Sequence, residues 1–327
     1  MQDQVLEDIQ KRFVLSLAVF WIMVLAVLPF TKITISYDGF ADVLHLSLFI
    51  SCFGLLSGRF GFDLLRSLTS ILAGLFMILL PLVTANYMAM SLNMPLADDF
   101  LSNMDVAIGF DWHAFIAFVD EKPLLAGAFT MAYQSFIIQI VAAPVLLIFL
   151  GYHRRAHAFM IAFGLLTLLA AFIAIWFPAY GSYFHYGYVD GQLANINTYF
   201  SFEFIDHFEA VRNKETFHVS SDAISGILTF PSVHAGAAYL LIWATWPNVW
   251  LRYPFLLINI AMALSAVVNA NHYLVDIIAS VPLAAVCIMA VNAVFGRSSE
   301  RADLSVASSS STAYPSNKTL QVEAPSG

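Results

Sequence analysis

The chain has 327 residues, of which 60% are hydrophobic and only 11% are charged, whereas a typical soluble domain carries about 25% charged residues. An aromatic content of 15% and a mean hydropathy of +0.78 exclude a disordered chain, a coiled coil and a disulfide-built secreted module. The net charge of −8 argues against a nucleic-acid partner, so the composition predicts an integral membrane protein, with the membrane as its first partner.

Long apolar runs predict the membrane spans, because a helix that crosses a bilayer needs about 20 mostly apolar residues. Eight runs qualify, which predicts an all-α protein, a polytopic bundle of about eight transmembrane helices. In chain order they cover residues 13–30, 43–57, 68–90, 124–150, 158–177, 233–246, 254–269 and 273–295. The first run is expected to be a retained helix, since no small-residue cleavage site precedes Pro29.

The positions of Lys and Arg predict how the bundle is oriented, because positive charge collects in cytoplasmic connections. With eight spans and a cytoplasmic N-terminus, ten of the 14 cationic residues fall inside. The four outside are Lys32, Lys122, Arg212 and Lys214. Both termini are therefore predicted to be cytoplasmic. The expected location is a bacterial inner membrane, with an active site on the outer, periplasmic face.

Two long connections lie on the predicted outer side, at residues 91–123 and 178–231, and both are rich in acidic and aromatic residues. The first contains the amphipathic stretch 106–119, which suits either a helix on the membrane surface or an ordered loop with some helix. The second is far longer than a turn requires, so we expect it to carry function. The predicted domains are a transmembrane domain, 1–297, with its catalytic part at about 178–295, and a Ser-rich, disordered cytoplasmic tail, 298–327.

Two segments place ionisable residues where helices are predicted to begin, Phe230-Pro-Ser-Val-His-Ala-Gly236 and Asn271-His-Tyr-Leu-Val-Asp276. Ionisable residues at membrane depth are costly and therefore point to function. His234 and His272 are 38 residues apart, which is the length of one helix inward and one helix outward. Two crossings return the chain to the same membrane face, so the two imidazoles are predicted to meet in one site.

The residue types in these segments suit phosphate chemistry. Pro231 and Ser232 commonly begin helices, so the amides that follow them would point at an anion above the helix. Gly236 would let a phosphate or a neighbouring helix approach the backbone closely. His272 and Asp276 are four residues apart and share one helical face. The carboxylate can therefore fix the imidazole tautomer and leave the other nitrogen free as a nucleophile.

These segments resemble the second and third motifs of the membrane-embedded type 2 phosphatidic acid phosphatase superfamily, over about residues 210–295. Those motifs read Pro-Ser-Gly-His and Ser-Arg, five residues, His, three residues, Asp. The resemblance implies an enzyme that acts on a lipid phosphate or phospholipid, with His272 as the nucleophile and Asp276 as its orienting partner. It implies that His234 is the general acid and that Ser232 holds a phosphate oxygen. It implies no cofactor, and both motifs look closer to the branch of the inositol phosphorylceramide synthases and their bacterial relatives.

The chain departs from the family pattern at the cations. Ser265 stands seven residues before His272, but Ala266 occupies the position of the family's Arg, and the first motif, Lys followed by Arg-Pro, is absent. Arg212 and Lys214 precede the second motif by about twenty residues. We predict that Arg212 neutralises the phosphate, because a guanidinium binds phosphate through two parallel hydrogen bonds. Lys214 is the second candidate for this role. The alternative is a solvated pair balanced by neighbouring glutamates.

Three other interpretations stay open at this point. The histidines and the aspartate could bind zinc, but a third well-spaced ligand is not evident, so no metal is predicted. A multi-span transporter of a lipid or anionic solute would also place polar groups in its spans, although such sites usually lie at the midplane. A non-catalytic membrane scaffold is the third interpretation.

Overall fold

The structure, a computed structural model, describes residues 2–220 and 224–296. Within them the chain forms thirteen α-helices and two short strands, β1 (Ile33–Ile35) and β2 (Phe217–Val219). The helices are α1 (Gln2–Val27), α2 (Tyr37–Arg59), α3 (Asp63–Ser91), α4 (Asp98–Ala107), α5 (Trp112–Asp120), α6 (Pro123–Phe149), α7 (His153–Ala174), α8 (Ser182–His185), α9 (Tyr199–Phe202), α10 (Ile205–Asn213), α11 (Val233–Thr245), α12 (Arg252–Asn269) and α13 (Leu274–Phe295). The predicted tail, 298–327, lies outside the described residues.

Seven of these helices are long and apolar enough to cross a membrane: α1, α2, α3, α6, α7, α12 and α13. They match seven of the eight predicted spans, and the prediction of an all-α membrane bundle is confirmed. Large apolar side chains on the outer helices face away from the protein, with Ile22 65% and Phe49 71% exposed. Such faces are stable in contact with lipid chains, as an integral membrane protein requires.

The remaining predicted span is the short helix α11, which has 13 residues. At 1.5 Å per residue it extends about 20 Å, less than the roughly 30 Å of a bilayer's hydrocarbon core. At its C-terminal end Arg155, from the first turn of α7, donates to the carbonyls of Trp243 and Ala244. The C-terminus of α11 therefore lies at one end of the bundle, and its N-terminus is set back from the opposite end.

The central helix of the bundle is α7, which packs against α1, α3, α6, α11 and α13. Small residues allow its neighbours to approach closely, as is common between membrane helices. A Cβ atom on Gly164 would lie 2.4 Å from Cδ1 of Ile78 and 2.6 Å from the ring of Phe20. The helices that carry the two motifs, α11 and α13, thus pack against a mostly buried central helix.

The second long connection contains a strand that pairs with the connection between α1 and α2. Strands β1 and β2 pair in parallel, with Ile33 opposite Phe217, so the α1–α2 connection adds a strand to the second long connection. The run Ile33-Thr-Ile35 is β-branched, which favours strand geometry. This small sheet is the one departure from the all-α prediction within the described residues.

The amphipathic stretch 106–119 is two helices rather than one. Helix α4 ends at Ala107 and α5 begins at Trp112, because Gly109 adopts a left-handed conformation with φ of +81°. The side chain of Asp111 then caps α5 by accepting the amide of Ala114 at 2.9 Å. Trp112 is buried and packs edge-on against Tyr183, so the first long connection docks on the second.

Candidate active site

His272 lies between α12 and α13 and is 3% exposed. Its Nδ1 is 3.1 Å from Oδ2 of Asp276, in the first turn of α13. The same Oδ2 accepts the backbone amide of Tyr273 at 2.9 Å. Because this oxygen accepts from the donors around it, Nδ1 carries the imidazole proton and the free lone pair is on Nε2.

The nitrogen with the free lone pair faces the hydroxyl of Ser232. Nε2 of His272 is 3.2 Å from Oγ of Ser232, so the hydroxyl donates to the imidazole. The same Oγ accepts the amide of Ala235 at 3.3 Å, which makes Ser232 the N-cap of α11. Ser232, His272 and Asp276 thus form one continuous, buried chain of hydrogen bonds.

The N-terminus of α11 points at this chain. The amides of Val233 and His234 are the first two of the helix and have no partner inside it. The amide of Ala235, which the sequence also predicted to be free, is instead bonded to Ser232. A helix N-terminus attracts anions. A phosphate placed beside Ser232 would meet two free amides and Nε2 of His272.

Burial sets the protonation state of the nucleophile candidate. It lowers the pKa of His272 to about 4, against a smaller opposing effect of a hydrogen bond with the backbone of Thr229. The imidazole is therefore neutral near pH 7. A neutral imidazole whose tautomer is set by a carboxylate is suited to nucleophilic attack through the other nitrogen.

His234 lies in the first turn of α11 between two aromatic rings of α6. Its imidazole stacks on Tyr133, with ring centroids 4.5 Å apart and planes 15° apart, and it contacts Phe136 at 4.2 Å. The two histidines are close enough to interact electrostatically. Burial, followed by the charge of His272, lowers the pKa of His234 to about 3. The imidazole is therefore neutral near pH 7 until an anion lies beside it and raises that pKa.

The backbone around His272 is held by the start of the second long connection. Oγ of Ser182 donates to the carbonyl of His272 at 3.1 Å, and the amide of Ser182 donates to the carbonyl of Asn271 at 3.3 Å. Gly181 has a φ of +90°, and a Cβ atom there would lie 1.9 Å from the carbonyl oxygen of Asn271. Only glycine permits both the conformation and this approach.

The structure places the other predicted binding residues outside this chain of hydrogen bonds. Gly236 faces α7, where a Cβ atom would lie 2.7 Å from Leu166. Of the two uses that the sequence suggested for Gly236, the structure describes the close approach of a neighbouring helix. Lys214 is exposed, with Nζ 5.9 Å from the ring centroid of Phe217.

Arg212 is the better placed of the two cations. It is partly buried in α10, packs over the ring of Phe208 and donates through Nη2 to the carbonyl of Met94 at 2.8 Å. Its Nη1 is buried with no partner among the described residues. Tyr180 and Asp98 lie close enough to interact with its charge. The guanidinium therefore has a donor, Nη1, that no described residue uses. It lies beside Tyr180 and Asp98 and does not touch the hydrogen-bonded pair His272–Asp276, the dyad.

Two buried aspartates of the first long connection touch the site, and neither was predicted as a site residue. Asp98 accepts the phenol hydroxyl of Tyr273 at 2.9 Å. Asp105 accepts the amides of Leu274 and Val275 at 2.9 and 2.8 Å. These contacts join positions 169 to 175 residues apart. No spacing in the sequence connects such distant residues, and the acidic composition of the connection was the only available signal.

The zinc interpretation finds no ligand set in the part of the chain that the structure describes. Within residues 2–220 and 224–296 no three His, Cys, Asp or Glu side chains converge as a metal site. Both imidazole nitrogens of His272 are also engaged, one by Asp276 and the other by Ser232. The arrangement resembles an acid–base and nucleophile site more than a metal centre.

Comparison with known proteins gives one match. A family model described as the PAP2 superfamily matches residues 99–290, more than half of the chain. The matched region begins beside Asp98 and contains Ser232, His234, His272 and Asp276. No curated protein and no solved structure matches the chain.

Proposed function

This chain belongs to the PAP2 superfamily, and we propose that it transfers or hydrolyses the phosphoryl group of a lipid headgroup through a phosphohistidine on His272. Membership of the superfamily supports phosphatase or phosphotransferase chemistry on lipid phosphoryl groups in general. The observation that carries the proposal is the buried chain Ser232–His272–Asp276, in which Nε2 of a neutral imidazole faces the capped N-terminus of α11.

In the first half-reaction Nε2 of His272 attacks phosphorus, and the bond from phosphorus to the leaving oxygen breaks. The leaving oxygen takes a proton from His234, which the negative charge of the bound phosphate keeps protonated against the effect of burial. Asp276 stabilises the positive charge that develops on His272. Ser232 exchanges its hydrogen bond to Nε2 for one to a phosphate oxygen.

In the second half-reaction an acceptor hydroxyl gives its proton to His234, now neutral, and attacks phosphorus. The bond from phosphorus to nitrogen breaks, and His272 returns to its neutral form. The acceptor is either water, which gives hydrolysis, or a second alcohol, which gives transfer. In both directions His234 holds the proton that the reaction moves, and His272 holds the phosphoryl group.

The phosphate charge needs a cationic partner besides the helix amides. We propose Arg212 in this role, with Lys214 as the second choice. In support, Nη1 of Arg212 is buried and has no hydrogen-bond partner in the part of the chain that the structure describes. Its neighbours Tyr180 and Asp98 adjoin the segment that carries His272. A charge-assisted hydrogen bond to phosphate typically contributes about 1.5 to 3 kcal/mol.

The depth of the site supports a lipid rather than a soluble substrate. Helix α11 is about 10 Å shorter than the bilayer core, so its N-terminus is expected at the level of the acyl chains or just beneath the headgroups. A headgroup can reach that level while its acyl chains stay in the bilayer. No comparable observation favours the transporter, because the polar groups of the site hold one another rather than line a passage.

We also propose that the enzyme lies closer to the inositol phosphorylceramide synthase branch, with an alcohol as acceptor. The support is the residue pattern Pro-Ser-Val-His-Ala-Gly and His-Tyr-Leu-Val-Asp. The test supplies purified protein with a panel of lipid phosphates and phosphodiesters, with and without inositol or glycerol. Transfer predicts a new phosphate ester of the added alcohol, which is a phosphomonoester from a lipid phosphate and a phosphodiester from a phosphodiester substrate. This ester forms at the expense of the hydrolysis product. Free phosphate alone, unchanged by any alcohol, would indicate a phosphatase.

The phosphohistidine itself is tested by rapid quenching. Protein in detergent micelles is mixed with a lipid labelled in its phosphoryl group, and the protein-bound label is examined. We expect label that is lost in acid and retained in alkali, and that does not form in His272→Gln. Ser232→Ala should form it more slowly but with the same stability.

The same experiment addresses the rival nucleophile. Ser232, His272 and Asp276 are hydrogen-bonded in the same order as the Ser, His and Asp of a serine hydrolase triad. In such a triad the serine hydroxyl is the nucleophile. A phosphoserine is stable in acid and lost in alkali. Acid-stable label that disappears in Ser232→Ala would therefore move the nucleophile from His272 to Ser232.

A further inference from the structure

Asp105 contacts the helix that carries the dyad from another part of the chain. It is completely buried, and its two carboxylate oxygens accept the amides of Leu274 and Val275 at 2.9 and 2.8 Å. These are the first two amides of α13, which have no partner inside the helix. A bidentate carboxylate at a helix N-terminus satisfies both donors and fits the helix dipole.

This contact sets the position of the dyad. Asp276 is the third residue of α13, so the turn whose amides Asp105 binds is the turn that presents the Asp276 carboxylate. Holding Leu274 and Val275 by two bonds in one plane restrains both the translation and the rotation of that turn. A shift of that turn would change the distance of 3.1 Å from Oδ2 of Asp276 to Nδ1 of His272.

Asp98 holds Tyr273, the residue that directly follows His272. One of its oxygens accepts the phenol hydroxyl of Tyr273 at 2.9 Å and the amide of Gly181 at 2.8 Å. Its other oxygen accepts the amide of Tyr180 at 3.1 Å. Asp98 therefore ties the start of the second long connection to the segment that carries His272.

The occupied N-terminus of α13 also has a consequence for the substrate. Both of its first amides are bonded to a carboxylate, and a negative charge there repels a phosphate. At the N-terminus of α11, by contrast, the amides of Val233 and His234 have no partner inside the helix and no backbone partner among the described residues. The phosphate is therefore directed to α11, on the side of His272 that carries the free lone pair.

We propose that Asp105 and Asp98 are positioning residues, through which helix α4 holds His272 and Asp276 in reactive geometry. The proposal rests on the proposed function for its kinetic readout. Neither aspartate touches the reacting atoms, so the effect of each is transmitted through the backbone of α13 or through Tyr273.

The kinetic test compares Asp105→Asn with Asp120→Asn. Asp120 is a matched control, because its carboxylate also accepts backbone amides from a distant segment. These are the amides of Ala194, Asn195 and Ile196, in the second long connection rather than in α13. In the rapid-quench experiment the amplitude of phosphoenzyme formation counts folded sites, whereas the rate reports their geometry. We expect Asp105→Asn to keep the amplitude and KM and to lose about 10- to 100-fold in rate. Asp120→Asn should keep both.

A second variant, Tyr273→Phe, tests the contact with Asp98 without altering a buried charged residue. Tyr273→Phe removes only the hydroxyl that Asp98 holds and preserves the ring, so folding is expected to survive. It should lose rate by a smaller factor than Asp105→Asn, again without change in KM. If Asp105→Asn does not fold, Tyr273→Phe alone decides. Wild-type rates in every folded variant would overturn the proposal.

A spectroscopic measurement separates this proposal from the proposed function. Nitrogen NMR of protein with isotopically labelled histidine reports the tautomer of His272, whose signals are assigned by their loss in His272→Gln. We expect one tautomer, protonated at Nδ1, in wild type and Asp120→Asn, and a mixture in Asp105→Asn. If the wild type forms no phosphoenzyme, the proposed function fails, and the NMR result still decides whether Asp105 positions His272. An unchanged spectrum in Asp105→Asn would contradict the positioning role.

Discussion

At the scale of single residues, the chemistry depends on one carboxylate. Oδ2 of Asp276 is shared between the amide of Tyr273 and Nδ1 of His272, while Oδ1 is buried without a partner among the described residues. A buried oxygen without a hydrogen bond costs about 1 to 3 kcal/mol. Such unsatisfied groups are rare in proteins and are often retained where they serve function.

Asp276→Asn should leave a folded protein with very little activity. An amide of the same shape keeps the packing but can donate to Nδ1, which favours the tautomer with the proton on Nε2. We expect turnover to fall by about a thousand- to ten thousand-fold, as for the equivalent change in a serine protease triad. Steady-state rates, with size-exclusion profiles in detergent as the check on folding, measure this. A rate within tenfold of wild type would contradict the dyad.

His234→Gln should affect substrates unequally. As the general acid His234 matters most when the leaving alcohol is poor, and least when an activated aryl oxide leaves without protonation. We expect a loss of about 100-fold or more with a lipid phosphate, and much less with an aryl phosphate. Tyr133→Phe, which keeps the aromatic ring against the imidazole, serves as the control. Equal losses on both substrates would remove the general-acid assignment.

Arg212→Ala and Lys214→Ala test the phosphate clamp as a pair. Loss of a charge-assisted hydrogen bond worth about 1.5 to 3 kcal/mol should lower kcat/KM by roughly 10- to 150-fold in the Arg variant. Arg212→Lys should restore little, because an ammonium cannot form two parallel hydrogen bonds. The exposed Lys214 should be nearly silent. A damaging Lys214→Ala beside a silent Arg212→Ala would assign the clamp to Lys214.

At the scale of elements, the site is a junction of the starts of two helices and one tight turn. Helix α11 supplies Ser232 and His234, and the segment that begins α13 supplies His272 and Asp276. The turn at Gly181 presses against the backbone just before His272. The precision of the junction therefore depends on a backbone contact as much as on side chains.

Gly181→Ala and Gly187→Ala separate that contact from backbone strain. Both glycines are left-handed, with φ of +90° and +74°, but a Cβ atom at Gly187 would meet nothing within 4 Å. Gly187→Ala should cost only the left-handed strain, roughly 1 to 2 kcal/mol. Gly181→Ala adds an overpacking cost against Asn271, for a total of roughly 2 to 5 kcal/mol. It should also slow turnover.

Thermal unfolding in detergent measures the stability of the two glycine variants, and steady-state rates measure their turnover. If they lose the same stability and keep wild-type turnover, the backbone contact does not support the site.

At the scale of the whole molecule, Arg12 and Arg155 lie at one end of the bundle and the candidate active site lies at the other. Arg155 binds the C-terminal end of α11, and Arg12 donates to the carbonyl of Val294 near the end of α13. Ser232 and His272 lie at the other ends of those helices. By the positive-inside rule the cationic end is cytoplasmic, which predicts that the site faces outward.

An engineered cysteine tests that orientation. Cys52 is exposed and Cys287 is buried, so both are first replaced by Ser and Ala, respectively. Asn213→Cys, at the exposed end of α10, should then react with a membrane-impermeant thiol reagent in intact cells. Phe60→Cys, in the turn after α2, should react only after the membrane is opened. The reverse pattern would invert the topology.

Much of this protein follows from local sequence physics alone. A bilayer requires long apolar helices, so seven of the spans could be predicted from composition within short windows. The spacing of His272 and Asp276 places them on one helical turn wherever that turn lies. Ser232 caps α11 because a hydroxyl at a helix start satisfies an amide three residues on. The superfamily follows from these same short motifs.

Only the tertiary structure decided what surrounds those motifs. Asp98 and Asp105 reach the segment of His272 and Asp276 across about 170 residues of chain. Two rings of α6 contact His234, and β1 pairs with β2 at a separation of 184 residues. No local period encodes such contacts, because each depends on how separate helices pack in the bundle. Neither Asp98 nor Asp105 was predicted as a site residue, because the role of each depends on burial against donors from distant parts of the chain.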